Sequence, residues 1–110
     1  MDEYTIKITS QTEKQLQEII HYITHELKAP EAALHLLDAL EKAFASLEHF
    51  PQRAALADDE PWRTNGIHCL PVKNFLVYFW IDEINKKVQI TAVIYAKRDQ
   101  MRQLSQMDME

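Results

Sequence analysis

Glycine and cysteine are almost absent from this chain of 110 residues, which has one glycine, one cysteine and four prolines. The single Cys69 cannot form an intrachain disulfide, so nothing in the sequence indicates an oxidising compartment. One glycine is too few for a glycine-rich phosphate-binding loop, and little room is left for linkers or low-complexity segments. We therefore expect one domain over residues 1–110, with 100–110 as a C-terminal tail.

Long apolar segments are absent as well. The longest apolar run, residues 75–81, is far too short to cross a bilayer. Met1 is followed by Asp2 and Glu3, whereas a signal peptide has a basic start and then an apolar stretch. The expectation is a cytoplasmic protein without membrane contact.

The net charge of −5 is unevenly distributed along the chain. The first 60 residues carry five basic and twelve acidic side chains, whereas residues 61–102 carry seven basic and three acidic ones. Overall acidity argues against broad, non-specific binding to nucleic acid, because such binding depends on many phosphate contacts. The sequence is still compatible with a local basic site in the C-terminal half.

The N-terminal half has the pattern of a strand followed by two helices. Residues 4–9 alternate apolar and polar, which predicts a short strand. Ser10 and Glu13 form a capping-box pattern, so a first helix is predicted to begin there. Pro30 suits the first turn of a second helix, and Pro51 stops it. The predicted buried stripes are Leu16, Ile20, Ile23 and Leu27 on the first helix, and Leu36, Leu37, Leu40, Phe44 and Leu47 on the second.

The C-terminal half changes to a period of two after Gly66. Three strands are predicted over residues 67–72, 75–81 and 88–95, and short turns join them into an antiparallel meander. Residues 75–81 are apolar on both faces, which predicts a central strand that is covered on both sides. The helical hairpin can cover only one side, and residues 52–65 are predicted to be a loop. The predicted fold class is α+β with the order β-α-α-β-β-β, two layers in which a helical hairpin packs on a small, mainly antiparallel sheet.

Four local patterns follow one another along the chain: Leu16-x-x-Ile19-x-x-Tyr22-Ile23, a leucine stripe running into Pro51-x-Arg53, Glu60-Pro-Trp-Arg63 followed by Leu70 to Tyr78, and Val93 to Asp99 with its basic pair. Together they resemble the RelE/ParE superfamily, the toxins of bacterial type II toxin–antitoxin systems, also called the plasmid stabilisation protein family. The likeness covers roughly residues 4–104. It implies a growth inhibitor that a cognate antitoxin neutralises, with a dimer or a toxin–antitoxin heterotetramer as the assembly.

The resemblance leaves two modes of action open, since ParE-like members inhibit DNA gyrase and RelE-like members cut mRNA on the ribosome. Metal-independent RNA cleavage needs a base, cations that stabilise the phosphate, and an acid. Compared position by position with the RelE pattern, only Arg98 matches cleanly: Phe75 replaces the usual arginine of the central strand, and the family tyrosine falls near Leu104. The candidate catalytic residues of a nuclease are therefore Arg98, Lys73 and His68.

These departures make a ParE-like toxin that binds a large target such as DNA gyrase the leading hypothesis. A ribosome-dependent mRNA endoribonuclease is the alternative, and a non-toxic family member that only binds a partner is a third. The candidate partner-binding residues are Trp80 and Tyr78, on the sheet face that the helices leave uncovered, together with Lys97 and Arg98.

The residues also permit plainer interpretations. A strand histidine such as His68 is more often structural or simply exposed than catalytic, and cations such as Lys97 at a strand end are commonly solvated. His21 and His25 are four residues apart on the first helix, and at this spacing two imidazoles can bind one metal ion. The sequence has no third ligand at a spacing typical of a metal site. No metal and no cofactor is predicted.

Overall fold

The computed structural model describes residues 3–96, in which two helices pack on one face of a four-stranded sheet. The sheet has the order β1-β4-β3-β2, with β1 parallel to β4 and the other neighbours antiparallel. The predicted α+β fold with the order β-α-α-β-β-β is confirmed. Its elements are β1 (Thr5–Ile8), α1 (Ser10–His21), a π-helical turn (Tyr22–Glu26), α2 (Pro30–Ser46), a 3-10 turn (Pro51–Arg53), β2 (Ile67–Val72), β3 (Phe75–Asp82) and β4 (Lys87–Tyr95).

The first helix begins at Ser10 as predicted, but its N-cap is Thr9. The Thr9 hydroxyl accepts the N–H of Thr12 at 3.2 Å. The Thr9 N–H still donates to the Ile90 carbonyl of β4 at 3.2 Å, so Thr9 belongs to the sheet and to the helix at once. The capping-box pattern of Ser10 and Glu13 therefore places the cap one residue too late, because the strand passes directly into the helix.

The predicted apolar stripe continues past α1 into a π-helical turn. There the Leu27 N–H donates to the Tyr22 carbonyl at 3.1 Å, which is one residue further back than in an α-helix. Such turns occur mostly as single insertions and often at functional sites. The second helix then starts with Pro30 in its first turn, as predicted.

The core lies between the helical hairpin and the sheet. Leu36, Leu40 and Leu47 are at most 4% exposed, whereas Leu37 is only partly buried. We call the side of the sheet that they contact the helix face and the opposite side the outer face. The main sheet residues of the helix face are Val77, Phe79, Val88, Ile90 and Val93.

A β-bulge decides which side chains of β4 reach the core. Tyr78 pairs with Ala92 and Phe79 with Ile90, so Thr91 is the extra residue, and its hydroxyl donates to the Tyr78 carbonyl at 3.2 Å. The bulge inverts the alternation of β4 beyond this point. As a result, Val93 follows Val88 and Ile90 on the helix face, and Ala92 and Ile94 lie on the outer face.

The connection that leads into β2 covers part of the outer face. The Ala57 N–H donates to the Ile67 carbonyl at 2.8 Å, and the Cys69 N–H donates to the Ala55 carbonyl at 2.9 Å. Ala57 and the partly buried Trp62 pack on the outer face. The predicted loop over residues 52–65 is observed, apart from the 3-10 turn Pro51–Arg53 at its start and an isolated β-bridge between Leu56 and His68. These contacts satisfy backbone groups of β2, which is an edge strand.

Candidate functional site

His68 lies at the beginning of β2, with its ring against the core. Its Nδ1 atom is 2.7 Å from the Ala54 carbonyl oxygen, and the ring stacks on Phe79 with 5.3 Å between the ring centroids. A contact of this kind with a carbonyl oxygen requires a proton on Nδ1. The backbone and the core thus orient the imidazole, which favours the structural interpretation of His68.

Lys73 lies at the opposite end of β2, in the turn before β3. It is exposed and has a left-handed backbone conformation with φ of 53°. Five residue steps of extended strand separate it from His68, which corresponds to roughly 16 Å. The structure therefore does not bring His68 and Lys73 together, and Arg98 lies outside the described residues.

The turn that contains Lys73 is adjacent to the end of β4. The Ala96 N–H donates to the Asn74 carbonyl at 2.9 Å. Lys97 and Arg98 follow Ala96 in the sequence and lie outside the described residues. Of the three predicted cations Lys73, Lys97 and Arg98, Lys73 is the one that lies in the described part of the chain.

A groove opens at this same end, between the helical hairpin and the helix face of the sheet. Its volume is about 880 Å³. Phe75 and Tyr95 form part of its wall and contact each other edge to face, with 5.3 Å between the ring centroids. The other lining residues come from α1, the π-helical turn, the start of α2 and the sheet: Gln15, Glu18, Ile19, Tyr22, Ile23, Leu27, Ala29, Ala32, Asn74 and Val93.

The rim of the groove is apolar and exposed. Tyr22 is 47% exposed and Leu27 is 57% exposed, so the prediction that Leu27 belongs to the buried stripe is wrong. Glu18 contributes the one charged side chain among the lining residues. An apolar cleft with a few polar groups at its edge is the usual form of a binding site. The groove was not predicted from the sequence, although a stripe that extends to Leu27 beyond the core gave a signal for it.

The outer face differs from its prediction at Tyr78 and agrees with it at Trp80. Tyr78 is 3% exposed, since it packs with Ile67 and Ala57 and with the partly buried Trp62, so the expectation that no segment covers this residue is wrong. Trp80 is 37% exposed on the same face. Of the two predicted aromatic contact residues, only Trp80 therefore offers surface to a partner.

Cys69 and Tyr78 remain uncharged near neutral pH. Burial raises the pKa of the Cys69 thiol. Burial and then the neighbouring Cys69 raise the pKa of the Tyr78 hydroxyl. A nucleophile of this type reacts as the thiolate, and a tyrosine base needs an ionised hydroxyl. Neither residue is therefore prepared for catalysis.

Metal-binding side chains are sparse over residues 3–96. This range contains no cluster of three or more histidine, cysteine or acidic residues able to hold a metal ion. His21 and His25 are adjacent, with 4.5 Å between their ring centroids. In the same range no helix is both long and apolar enough to span a membrane.

A sequence model of the family "ParE toxin of type II toxin–antitoxin system, parDE" matches residues 6–100. The chain belongs to this family of ParE toxins. The RelE/ParE resemblance inferred from its local patterns is therefore confirmed. No curated protein gives a match.

Solved structures share the ParE toxin fold at low sequence identity. A chain of the chromosomal ParDE toxin–antitoxin system from P. aeruginosa is 22% identical, with a TM-score of 0.67 and coverage of 86% of this chain and 98% of that one. A chain of the RelBE2 toxin–antitoxin complex from Mycobacterium tuberculosis is 20% identical, with a TM-score of 0.62 and coverage of 88% of this chain and 97% of that one. A mutant E. coli toxin RelE in the free state is 10% identical, with a TM-score of 0.60 and coverage of 92% of each chain.

The groove of this ParE toxin is built by segments that carry the family likeness. Ile19, Tyr22 and Ile23 belong to the pattern of the first helix, and all three line the groove. Phe75 contributes an apolar ring to the same wall. In the RelE pattern an arginine stands at this position. The departure from the RelE pattern thus makes this end of the sheet more apolar.

Proposed function

We propose that this ParE toxin inhibits growth by binding a large protein target, such as DNA gyrase, and that a cognate antitoxin holds it in check. The observation that carries the proposal is the separation of its candidate catalytic groups. His68 is engaged by the Ala54 carbonyl at one end of β2, and Lys73 lies roughly 16 Å away at the other end. General acid–base catalysis needs such groups within hydrogen-bond reach of one substrate. The proposed targets lie in the cytoplasm, where the toxin is expected to act.

The surface near Lys73 also supports binding over RNA cleavage. A dianionic phosphate in the transition state needs several cations around it. Here Phe75, Tyr95 and Leu27 line the adjacent groove. Aromatic and aliphatic side chains of this kind are suited to anchor a protein segment.

The antitoxin is proposed to place apolar side chains in the groove and to extend to the outer face near Trp80. Matched chains occur in the ParDE system of P. aeruginosa and in the RelBE2 toxin–antitoxin complex, which supports a partner of this kind for our chain. Tyr22 and Leu27 expose large apolar surface at the rim, and a partner would remove that surface from water. The partner-binding residues proposed from the sequence are Trp80, Tyr78, Lys97 and Arg98. Of these, Tyr78 is buried.

The target is tested with the purified toxin in two assays. The first measures DNA supercoiling by gyrase, and the second measures mRNA integrity in a purified translation system. We expect supercoiling to fall and mRNA to stay intact, and we expect addition of the antitoxin to restore supercoiling. Induction in bacteria should give the SOS response that follows gyrase inhibition.

The alternative is a ribosome-dependent mRNA endoribonuclease that uses Arg98 and Lys73. The position of Lys73 beside the Asn74–Ala96 hydrogen bond favours it, because the basic pair Lys97-Arg98 follows at once in the sequence. mRNA cut at codons, with unchanged supercoiling, would establish this alternative. A chain that binds an antitoxin but changes neither readout would be a non-toxic, partner-binding member of the family.

The partner is tested at the gene and on the protein. A short open reading frame next to the toxin gene should encode a protein that binds the purified toxin. Tyr22→Ala, at the groove rim, should weaken this binding at least about tenfold, as expected for an aromatic anchor. Leu34→Ala is the matched control, because Leu34 is 66% exposed on α2 and does not line the groove. Equal loss in both variants, or none in either, would contradict docking in the groove.

A further inference from the structure

We propose that His21 and His25 together bind one divalent transition-metal ion, such as Cu²⁺, Ni²⁺ or Zn²⁺, on the exposed side of the helical hairpin. Their rings are adjacent, with 4.5 Å between centroids and a tilt of 41°. Both side chains are exposed, and within residues 3–96 neither ring nitrogen is engaged in a hydrogen bond or an ion pair. Imidazole nitrogen is a preferred ligand of these ions.

The backbone at the junction of α1 and the π-helical turn holds the two histidines in place. His21 is the last residue of α1, and the Tyr22 N–H still donates to carbonyls of the preceding turn. His25 lies within the π-helical turn, which the hydrogen bond from the Leu27 N–H to the Tyr22 carbonyl closes. Because the rings are already side by side, binding needs only side-chain rotation and little further ordering of the chain.

The number of ligands decides which ions are expected. No third histidine, cysteine or acidic side chain joins the pair into a metal cluster in the described part of the chain. Water would therefore complete the coordination, and the affinity should be lower than that of a closed four-ligand zinc site. With nitrogen ligands and open geometry, Cu²⁺ should bind more tightly than Ni²⁺ or Zn²⁺. Mg²⁺ and Ca²⁺ prefer oxygen ligands and should not bind here.

The position of the pair links such a metal to the groove. His21 and His25 bracket Tyr22 and Ile23, which both line it. A metal that bridges the two imidazoles would fix both ends of this short segment. Because a ligand that binds only the folded state stabilises it, the metal should also raise the melting temperature of the protein.

The experiment uses the full chain without a histidine tag. Isothermal titration with CuCl₂, NiCl₂ and ZnCl₂ should show one ion per chain, with Cu²⁺ bound most tightly. His21→Ala and His25→Ala should each lower the affinity at least about tenfold, since removing even a supporting group of a metal site has effects of that size. His35→Ala is the matched control, because His35 is an exposed histidine on α2 outside the pair.

Thermal unfolding gives the second readout. CuCl₂ should raise the melting temperature of the wild type and of His35→Ala, and it should leave the double variant of His21 and His25 unchanged. MgCl₂ should have no effect on any of them. The proposal is overturned if the double variant binds Cu²⁺ as tightly as the wild type, or if the single variants at positions 21 and 25 behave like His35→Ala.

Discussion

Cys69 and Tyr78 are direct partners in the β2–β3 ladder, and burial raises the pKa of both side chains. The pair lies on the outer face beneath Trp62 and Ala57, in a second, small apolar cluster. Because Tyr78 is buried and Cys69 is partly buried, this part of the outer face stabilises the fold. Surface for a partner on the outer face begins at Trp80, two residues further along β3.

Trp80 and Tyr78 should therefore respond differently to truncation. Tyr78→Ala should cost about 3–5 kcal/mol of unfolding free energy, as for other large buried aromatic residues. Trp80→Ala should cost less stability and instead weaken antitoxin binding or self-association. Denaturant unfolding, antitoxin titration and mass in solution measure these effects. A folded Trp80 variant with unchanged affinity and mass would show that Trp80 is not a contact residue.

Two leucines of α2 provide a matched pair for the core. Leu40 is 1% exposed and Leu34 is 66% exposed on the same helix. Leu40→Ala should lower the unfolding free energy by about 2–5 kcal/mol, because it leaves a cavity between the helices and the sheet. Leu34→Ala should change it by about 0.5 kcal/mol or less. Similar losses in the two variants would mean that α2 presents a different side to the sheet.

His68→Ala should act on stability and not on toxicity. The substitution removes the contact with the Ala54 carbonyl and the stacking on Phe79. Loss of such a hydrogen bond costs about 1 kcal/mol. Growth inhibition, normalised to the amount of folded toxin, should stay at the wild-type level. Loss of toxicity in a variant as stable as the wild type would instead assign His68 to a catalytic site.

Arg98→Ala should reduce toxicity and leave the melting temperature unchanged. Arg98 lies outside the described residues, so this prediction rests on the sequence pattern and on the rule that an exposed charge contributes little to stability. The measurement pairs growth inhibition with thermal unfolding, and Lys14→Ala on the surface of α1 serves as the control. A fully toxic Arg98 variant would remove this residue from the functional site.

Asp82 should give the β3–β4 turn a stability that depends on pH. Hydrogen bonds from the side chain and backbone of Asn85 lower the pKa of Asp82 below its usual value. A carboxyl group with a lowered pKa stabilises the fold above its unfolded pKa of about 3.9, and this contribution is lost as the pH falls through the folded value. The melting temperatures of wild type and Asp82→Ala should differ at about pH 6, and this difference should shrink as the pH falls below about 3.9. A difference that grows on acidification would contradict this assignment.

The sequence by itself determined the elements of this ParE toxin, because their patterns are local. Pro30 starts α2 where the sequence places it, and β2 spans residues 67–72 as predicted. The family also followed from the sequence, since its patterns lie in order along nearly the whole chain. The exact cap of α1 did not follow, because Thr9 is fixed by the Ile90 carbonyl of a strand 81 residues later.

Only the tertiary structure decided which surfaces are available for function. Sequence alternation placed Tyr78 and Trp80 correctly on one face, but it carries no information about the segment around Ala57 and Trp62 that covers one of them and not the other. The groove likewise forms only where the helical hairpin meets the end of the sheet, because its lining residues come from distant parts of the chain.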